Sequence, residues 1–153
     1  MTTTTADFLA AYEAHNKADT YCLGFNYKGS WFCFFTDKLN PDWVARERMS
    51  SKNSHKGEES YALRLRMKVR QCAEVLATCE CLEVPADFLQ LEKNRGRAFE
   101  RWARERFSHG EHTNDNVGFW KDGDMMVGNK RVQVKLNTAQ VCSEYTLTRM
   151  GWA

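Results

Sequence analysis

Asp124-Met-Met-Val-Gly-Asn-Lys-Arg-Val-Gln-Val-Lys135 is the stretch that decides how the chain is read. Gly128-Asn129 falls between two apolar runs, the signal of a two-residue β-hairpin. With those two residues as the loop, Val127 faces Lys130, Met126 faces Arg131, Met125 faces Val132 and Asp124 faces Gln133. Strand alternation then sorts the side chains. Met125, Val127, Val132 and Val134 fall on one side and predict a core face, while Asp124, Gln133 and Lys135 gather on the other. Directly opposed residues have Cβ atoms roughly 5 Å apart. The oxygens of Asp124 and Gln133 are therefore expected to share one cation, with Lys135 one step along.

That set suits phosphodiester cleavage. The reaction needs a cation to polarise the phosphate and to lower the pKa of an attacking water. Magnesium takes hard oxygen ligands, typically one or two carboxylates with several waters retained. A lysine beside it can orient or deprotonate water and stabilise developing negative charge. Gln133 offers a neutral carbonyl oxygen where a glutamate would offer a charged one, so a second acid is needed. Glu100 is the candidate. In Gly96-Arg-Ala-Phe-Glu-Arg-Trp-Ala-Arg-Glu-Arg-Phe107, the positions Gly96, Glu100, Ala103 and Phe107 follow helical three- and four-residue steps, a stripe expected to face the sheet. A carboxylate there is costly unless a cation or donors meet it. The alternative stripe is centred on Phe99 and Trp102 and leaves Glu100 at its solvated edge.

A helical Glu, a strand Asp and a hairpin return to a strand reading Gln-x-Lys resemble the core of the PD-(D/E)XK nuclease superfamily, which includes restriction enzymes, junction resolvases and recombination nucleases. Gln133-Val134-Lys135 is similar to the QxK variant of Mrr-type restriction endonucleases. The resemblance spans Gly96 to Leu136, about a quarter of the chain. It implies a restriction-endonuclease-like α/β core, a mixed sheet flanked by helices. Glu100, Asp124 and Gln133 would hold Mg²⁺ (or Mn²⁺ in its place), and Lys135 would be the catalytic lysine of a DNA endonuclease. Two features depart from the family pattern. No Pro precedes Asp124, and few residues follow Leu136, where the family usually adds a helix and another strand. The N-terminal hairpin is expected to complete the sheet instead. A homodimer is expected on the ground that so small a nuclease must cut two strands, although the sequence marks no interface.

Outward from this core, Asp7 to Lys17 reads as a short amphipathic helix. Tyr21–Tyr27 and Ser30–Thr36 flank Lys28-Gly29 and read as a hairpin. Its aromatics Trp31, Phe32, Phe34 and Phe35, with Trp43, suit either a core or base stacking. Asn40-Pro41 is a cap followed by a first-turn proline and predicts a helix to about Met49. Ser50–Glu59 is polar and predicts a loop. Leu63, Met67, Val69, Cys72, Val75 and Leu76 predict one long helix over Tyr61–Cys81, and Pro85 opens another that runs towards Phe107. Gly110–Asn116 reads as a loop, with strands from Phe119. The chain divides into 1–84, an α+β extension of helices and hairpin, and 85–153, the nuclease-like part; the two are also compatible with one continuous domain.

With 153 residues, 42% of them hydrophobic and 12% aromatic, the chain can bury a real core. No apolar run approaches the roughly 20 residues that cross a bilayer. Met1-Thr-Thr-Thr-Thr has no secretory-signal pattern, so a cytoplasmic, reducing location is expected. The six cysteines offer only a CxC at Cys79 and Cys81 and no finger-like spacing, which favours reduced thiols. A net charge of +2 says little about partners, but its distribution says more. Arg64, Arg66, Lys68 and Arg70 form one cluster; Arg95, Arg97, Arg101, Arg104 and Arg106 form another. Each is either a phosphate-binding surface or a solvated face paired with acids such as Glu92, Glu100 and Glu105. Arg95, Arg97, Arg101 and Arg104 lie on the helix of Glu100 and are the nucleic-acid-binding candidates. Asp122, His109, His112, Gln140 and Glu144 are secondary candidates, each with a plainer surface role as its alternative. Two other functions fit the same sequence: a non-catalytic nucleic-acid binder on a degenerate nuclease fold, and a small protein-binding regulator or inhibitor from a virus or mobile element.

Overall fold

The computed structural model describes residues 5–16, 18–48, 61–108 and 124–137. The readings of Ser50–Glu59, Gly110–Asn116, His109, His112, Asp122, Gln140 and Glu144 lie outside the described residues. In chain order the elements are α1 (Thr5–Asn16), β1 (Thr20–Tyr27), β2 (Ser30–Thr36), a 3-10 turn at Pro41–Trp43, and β3 (Val44–Arg48). Then come β4 (Tyr61–Leu65), α2 (Val69–Thr78), β5 (Leu82–Val84), a second 3-10 turn at Ala86–Gln90, α3 (Arg95–Phe107), β6 (Asp124–Val127) and β7 (Lys130–Leu136).

The architecture is mixed α/β, built on a five-stranded sheet in the order β5-β2-β1-β7-β6. β1 pairs with β7 in parallel, and every other pairing is antiparallel. The N-terminal hairpin thus joins the sheet of the C-terminal strands, as expected, and strands from both sides of Pro85 share it. Lys28 (φ 51) and Gly29 (φ 87) form its turn with both central residues left-handed, the twist that suits a right-twisted hairpin. A separate antiparallel ribbon pairs β3 with β4, with Val44 opposite Leu65 and Arg46 opposite Leu63.

Because β1 lies inside the sheet, its side chains feed two cores. On one face Tyr21, Leu23 and Phe25 pack with Leu9, Phe34, Val44, Leu63, Leu65, Met67, Cys72 and Val75. On the other, Cys22 joins Trp31, Cys33, Val84, Phe88, Ala98, Phe99, Ala103, Met125, Val132 and Val134. Most of the hairpin aromatics are therefore core, with Phe35 the exposed exception. α3 approaches the sheet closely: a Cβ on Gly24 would lie 2.6 Å from Phe99 Cζ. Among the described residues no helix is long and apolar enough to cross a membrane.

Three helix predictions need correction. Asn40 does cap a helical turn, its Oδ1 accepting from the Asp42 N–H at 2.9 Å. The turn ends at Trp43, however, because burying Val44 (7% exposed) carries the chain into β3. Tyr61–Cys81 is two elements. Leu63, Leu65 and Met67 are buried while Arg64, Arg66 and Lys68 are exposed, a two-residue alternation that only a strand satisfies. α2 begins afresh at Val69, where the Lys68 N–H donates to Gln71 Oε1 at 2.8 Å. Pro85 starts a 3-10 turn and not the long helix; α3 has its own cap, with Asn94 Oδ1 accepting from the Arg97 N–H at 3.1 Å.

Candidate functional site

β6 and β7 meet in the register that the Gly128-Asn129 loop dictates: Asp124 pairs with Gln133, Met125 with Val132, Met126 with Arg131 and Val127 with Lys130. Gly128 takes φ +63, which a side chain resists and glycine does not. For Asp124 only the backbone is described, at the position directly across from Gln133. The valines of β7 pack under α3, so Gln133 and Lys135 alternate onto the face shared with Tyr21 and Leu23, their partners on β1. Gln133 is buried, and Lys135 is half-buried with Nζ 5.1 Å from the centre of the Tyr12 ring. Asp19 fixes the start of this pairing: its N–H donates to the Arg131 carbonyl at 2.8 Å and its Oδ2 accepts from the Arg131 N–H at 2.9 Å.

β6 as described begins opposite Gln133, and beside the next three residues of β7 a cleft of about 370 Å³ opens. It is lined by Leu63, Arg64 and Leu65 of β4, by Asn94, Gly96, Arg97 and Glu100 at the start of α3, and by Gln133, Val134, Lys135 and Leu136. Glu100, Gln133 and Lys135 therefore share one cleft. The route by which Glu100 arrives differs from expectation. The buried stripe of α3 is Ala98, Phe99 and Ala103, which takes Phe99 from one expected stripe and Ala103 from the other, and Glu100 is half-buried beside it. α3 covers the valine face of the hairpin, opposite the face of Gln133 and Lys135. Glu100 thus lines the cleft from α3, while Gln133 and Lys135 line it from β7.

The arginines of α3 divide by position. Arg97 lines the cleft. Arg97, Glu100, Arg101 and Arg104, with Glu92 and Glu105, also line an adjoining depression of about 390 Å³. Arg101 is engaged there by Glu105 at 3.4 Å, Glu92 at 3.8 Å and the Leu91 carbonyl at 3.3 Å. These are exposed ion pairs of small energetic weight, so they compete only weakly with a phosphate. Arg95 is exposed and lines neither hollow. Arg64, which the sequence placed in a basic cluster but not at the candidate site, also lines the cleft. Its signal was the Leu63-Arg64-Leu65-Arg66-Met67-Lys68 alternation, masked by the helical reading of that stretch.

The side-chain oxygens described in the cleft belong to the Glu100 carboxylate and to the amides of Gln133 and Asn94, the last engaged in capping α3. Among the described residues no three His, Cys, Asp or Glu side chains form a metal-holding group. Three of the cysteines are held as thiols. Cys22 is held well above the usual thiol range by its hydrogen bond with Cys33 and by burial. Burial pushes Cys72 up to about 12 despite a hydrogen bond from Asn137, and Cys81 up to about 11. Thiols so placed stay protonated at neutral pH and are neither nucleophiles nor thiolate ligands. Comparison of the chain with family models, with curated proteins and with solved structures found no match.

Proposed function

We propose that the chain is a metal-dependent DNA nuclease with a restriction-endonuclease-like core of PD-(D/E)XK type. The observation that carries this reading is the single cleft shared by Glu100, Gln133 and Lys135, with Asp124 in register across from Gln133. The topology supports it as well. A strand–helix–strand continuation after the lysine strand would bring a parallel neighbour to β7; β1 fills that position from the other end of the chain.

The residue types suit a small hard cation: Glu100 and Gln133 line the cleft, and Asp124, whose backbone lies across from Gln133, would add a second carboxylate. When bound, Mg²⁺ would polarise the phosphate and acidify an attacking water. Glu100, Asp124 and Gln133 would hold it, less tightly than three acids because the amide is neutral. Lys135 would direct its Nζ–H groups at the water and at the negative charge growing on the phosphate. The Tyr12 ring beneath Nζ steadies that ammonium by cation–π attraction, about 0.5–1 kcal/mol at a partly exposed position. Arg97 would offset the charge of the incoming backbone.

The buried, neutral Gln133 also favours a second reading, a DNA-binding protein that keeps the cleft without cutting. One experiment separates the two. Labelled single-stranded and duplex DNA are incubated with wild type, Asp124→Ala and Lys135→Ala in Mg²⁺, Mn²⁺ or EDTA. The nuclease reading expects metal-dependent cleavage that falls about 10²–10⁴-fold in Lys135→Ala and at least as far in Asp124→Ala. Equal cleavage by all three proteins identifies a contaminant, and cleavage by none leaves the binding reading.

A further inference from the structure

Arg64, Arg66 and Lys68 are exposed, while Leu63, Leu65 and Met67, which alternate with them, are buried. The three cations therefore stand in a row on the outer side of the second ribbon. Every second residue of an extended chain recurs at roughly 7 Å, a step of the same order as that between successive phosphates on one nucleic-acid strand. The row outlasts β4. The Arg66 N–H donates to the Trp43 carbonyl, which carries the pairing one residue beyond the strand, and Lys68 keeps an extended backbone (φ −77, ψ 160) before α2 begins. Its first member belongs to the cleft: Arg64 lines it together with Arg97, Glu100, Gln133 and Lys135, whereas Arg66 and Lys68 continue the row outside it. Arg64 stands across the ribbon from Ala45, a side chain too short to cover a guanidinium.

The row is fixed at its centre. Asn137, directly after β7, is fully buried; its Oδ1 accepts from the Met67 N–H and its Nδ2 donates to the Met67 carbonyl, both at 3.0 Å. Its own N–H donates to the Gly24 carbonyl at 2.7 Å. The end of β7, the middle of β1 and the segment leaving β4 are therefore tied at one point. The ribbon cannot swing away without exposing buried polar groups. Long cationic side chains give up less freedom on binding when the backbone beneath them is already held.

Resting on the nuclease reading above, we infer that DNA reaches the cleft along the outer side of the β3–β4 ribbon. Consecutive phosphates of one backbone lie on Lys68, Arg66 and Arg64, and the next in line meets Glu100, Gln133 and Lys135. The arginines suit phosphate through their planar forks, and Lys68 through its point charge. The contacts are to phosphate alone, so the track takes one strand of a duplex or a free strand, and does so whatever the sequence.

The test is fluorescence anisotropy with a labelled duplex oligonucleotide over a salt series, with Ca²⁺ replacing Mg²⁺ so that affinity is read without cutting. Arg66→Ala/Lys68→Ala changes only the part of the row outside the cleft. It is expected to lower affinity about tenfold and to flatten the slope of log K against log salt by about 1.8, two phosphate contacts at roughly 0.9 each. Arg66→Lys/Lys68→Arg keeps both charges and should keep the wild-type slope. Lys28→Gln/Arg106→Gln removes as much charge from exposed positions in the first hairpin's turn and at the end of α3, and should leave the slope unchanged. A wild-type slope in the alanine variant, or an equal flattening in the glutamine variant, overturns the inference. Vesicles of anionic phospholipid bound more tightly than DNA, and no longer bound by the alanine variant, would give the row to a lipid surface and overturn it as well. Cleavage of the same duplex in Mg²⁺ is a separate readout. Row-dependent binding without cutting by wild type sustains the track and removes the nuclease reading. Metal-dependent cutting with a wild-type slope in the alanine variant does the reverse.

Discussion

The molecule contains two antiparallel ribbons held in place by different means. β6–β7 is closed by a two-residue turn, and β7 is then stitched along its length to β1 by backbone hydrogen bonds. Among the described residues β3–β4 pairs only with itself. It is fastened to the rest of the protein by side chains: Val44, Leu63 and Leu65 enter the core, and Asn137 grips Met67 just beyond β4. A ribbon in the first situation carries its own register. One in the second has its position decided by what it buries, so its geometry is a property of the tertiary structure. Both contribute to the cleft, which makes the site dependent on local and long-range order at once.

Three substitutions bear on this contrast. The largest effect is expected for Leu65→Ala, which empties a buried position of the second ribbon and should cost about 2–5 kcal/mol in denaturant unfolding. A helix across Tyr61–Cys81 would put Leu65 off the stripe of Leu63 and Met67, so a cost below about 1 kcal/mol would contradict the strand. Next comes Asn137→Ala. It strands the Met67 N–H and carbonyl in a site that water does not reach, at about 1–3 kcal/mol, and should accelerate hydrogen exchange at the Met67 amide. Exchange no faster than in wild type would mean the ribbon is anchored elsewhere. The smallest is Gly128→Ala, where the left-handed turn residue gains a Cβ. About 1 kcal/mol is expected, with cleft residues Gln133 and Lys135 keeping their NMR environments. A larger loss there would show that the first ribbon also leans on its surroundings.

The same contrast explains what could be read from the sequence. The β6–β7 register and both hairpin turns are written locally, in Gly128-Asn129 and Lys28-Gly29, because turn geometry follows from two residues. The cap at Asn40 is equally local, but its length is not. Asn-Pro starts a 3-10 turn as readily as a helix, and only the burial of Val44 decides. Leu63 and Met67 are four residues apart and satisfy both periods; Leu65 between them was the deciding residue. For Glu100 the helix was legible and the stripe was not, since Phe99 gains its place from Gly24, on a distant strand. Nothing local could announce that β1 lies beside β7, that Arg64 faces Arg97 across a cleft, or that Asn137 joins three segments. These are pairings between residues whose only common property is the folded state.

The bond between the Arg131 amide and Asp19 spans a sequence separation of 112 residues, and the β1–β7 ladder grows from it. Closing so large a loop is among the slowest events in folding. A nascent chain that has not yet produced Lys130 leaves one flank of β1 bare, and bare strand flanks seek other chains. β7, the last of the described strands, covers that flank as it pairs and brings Lys135 to the cleft.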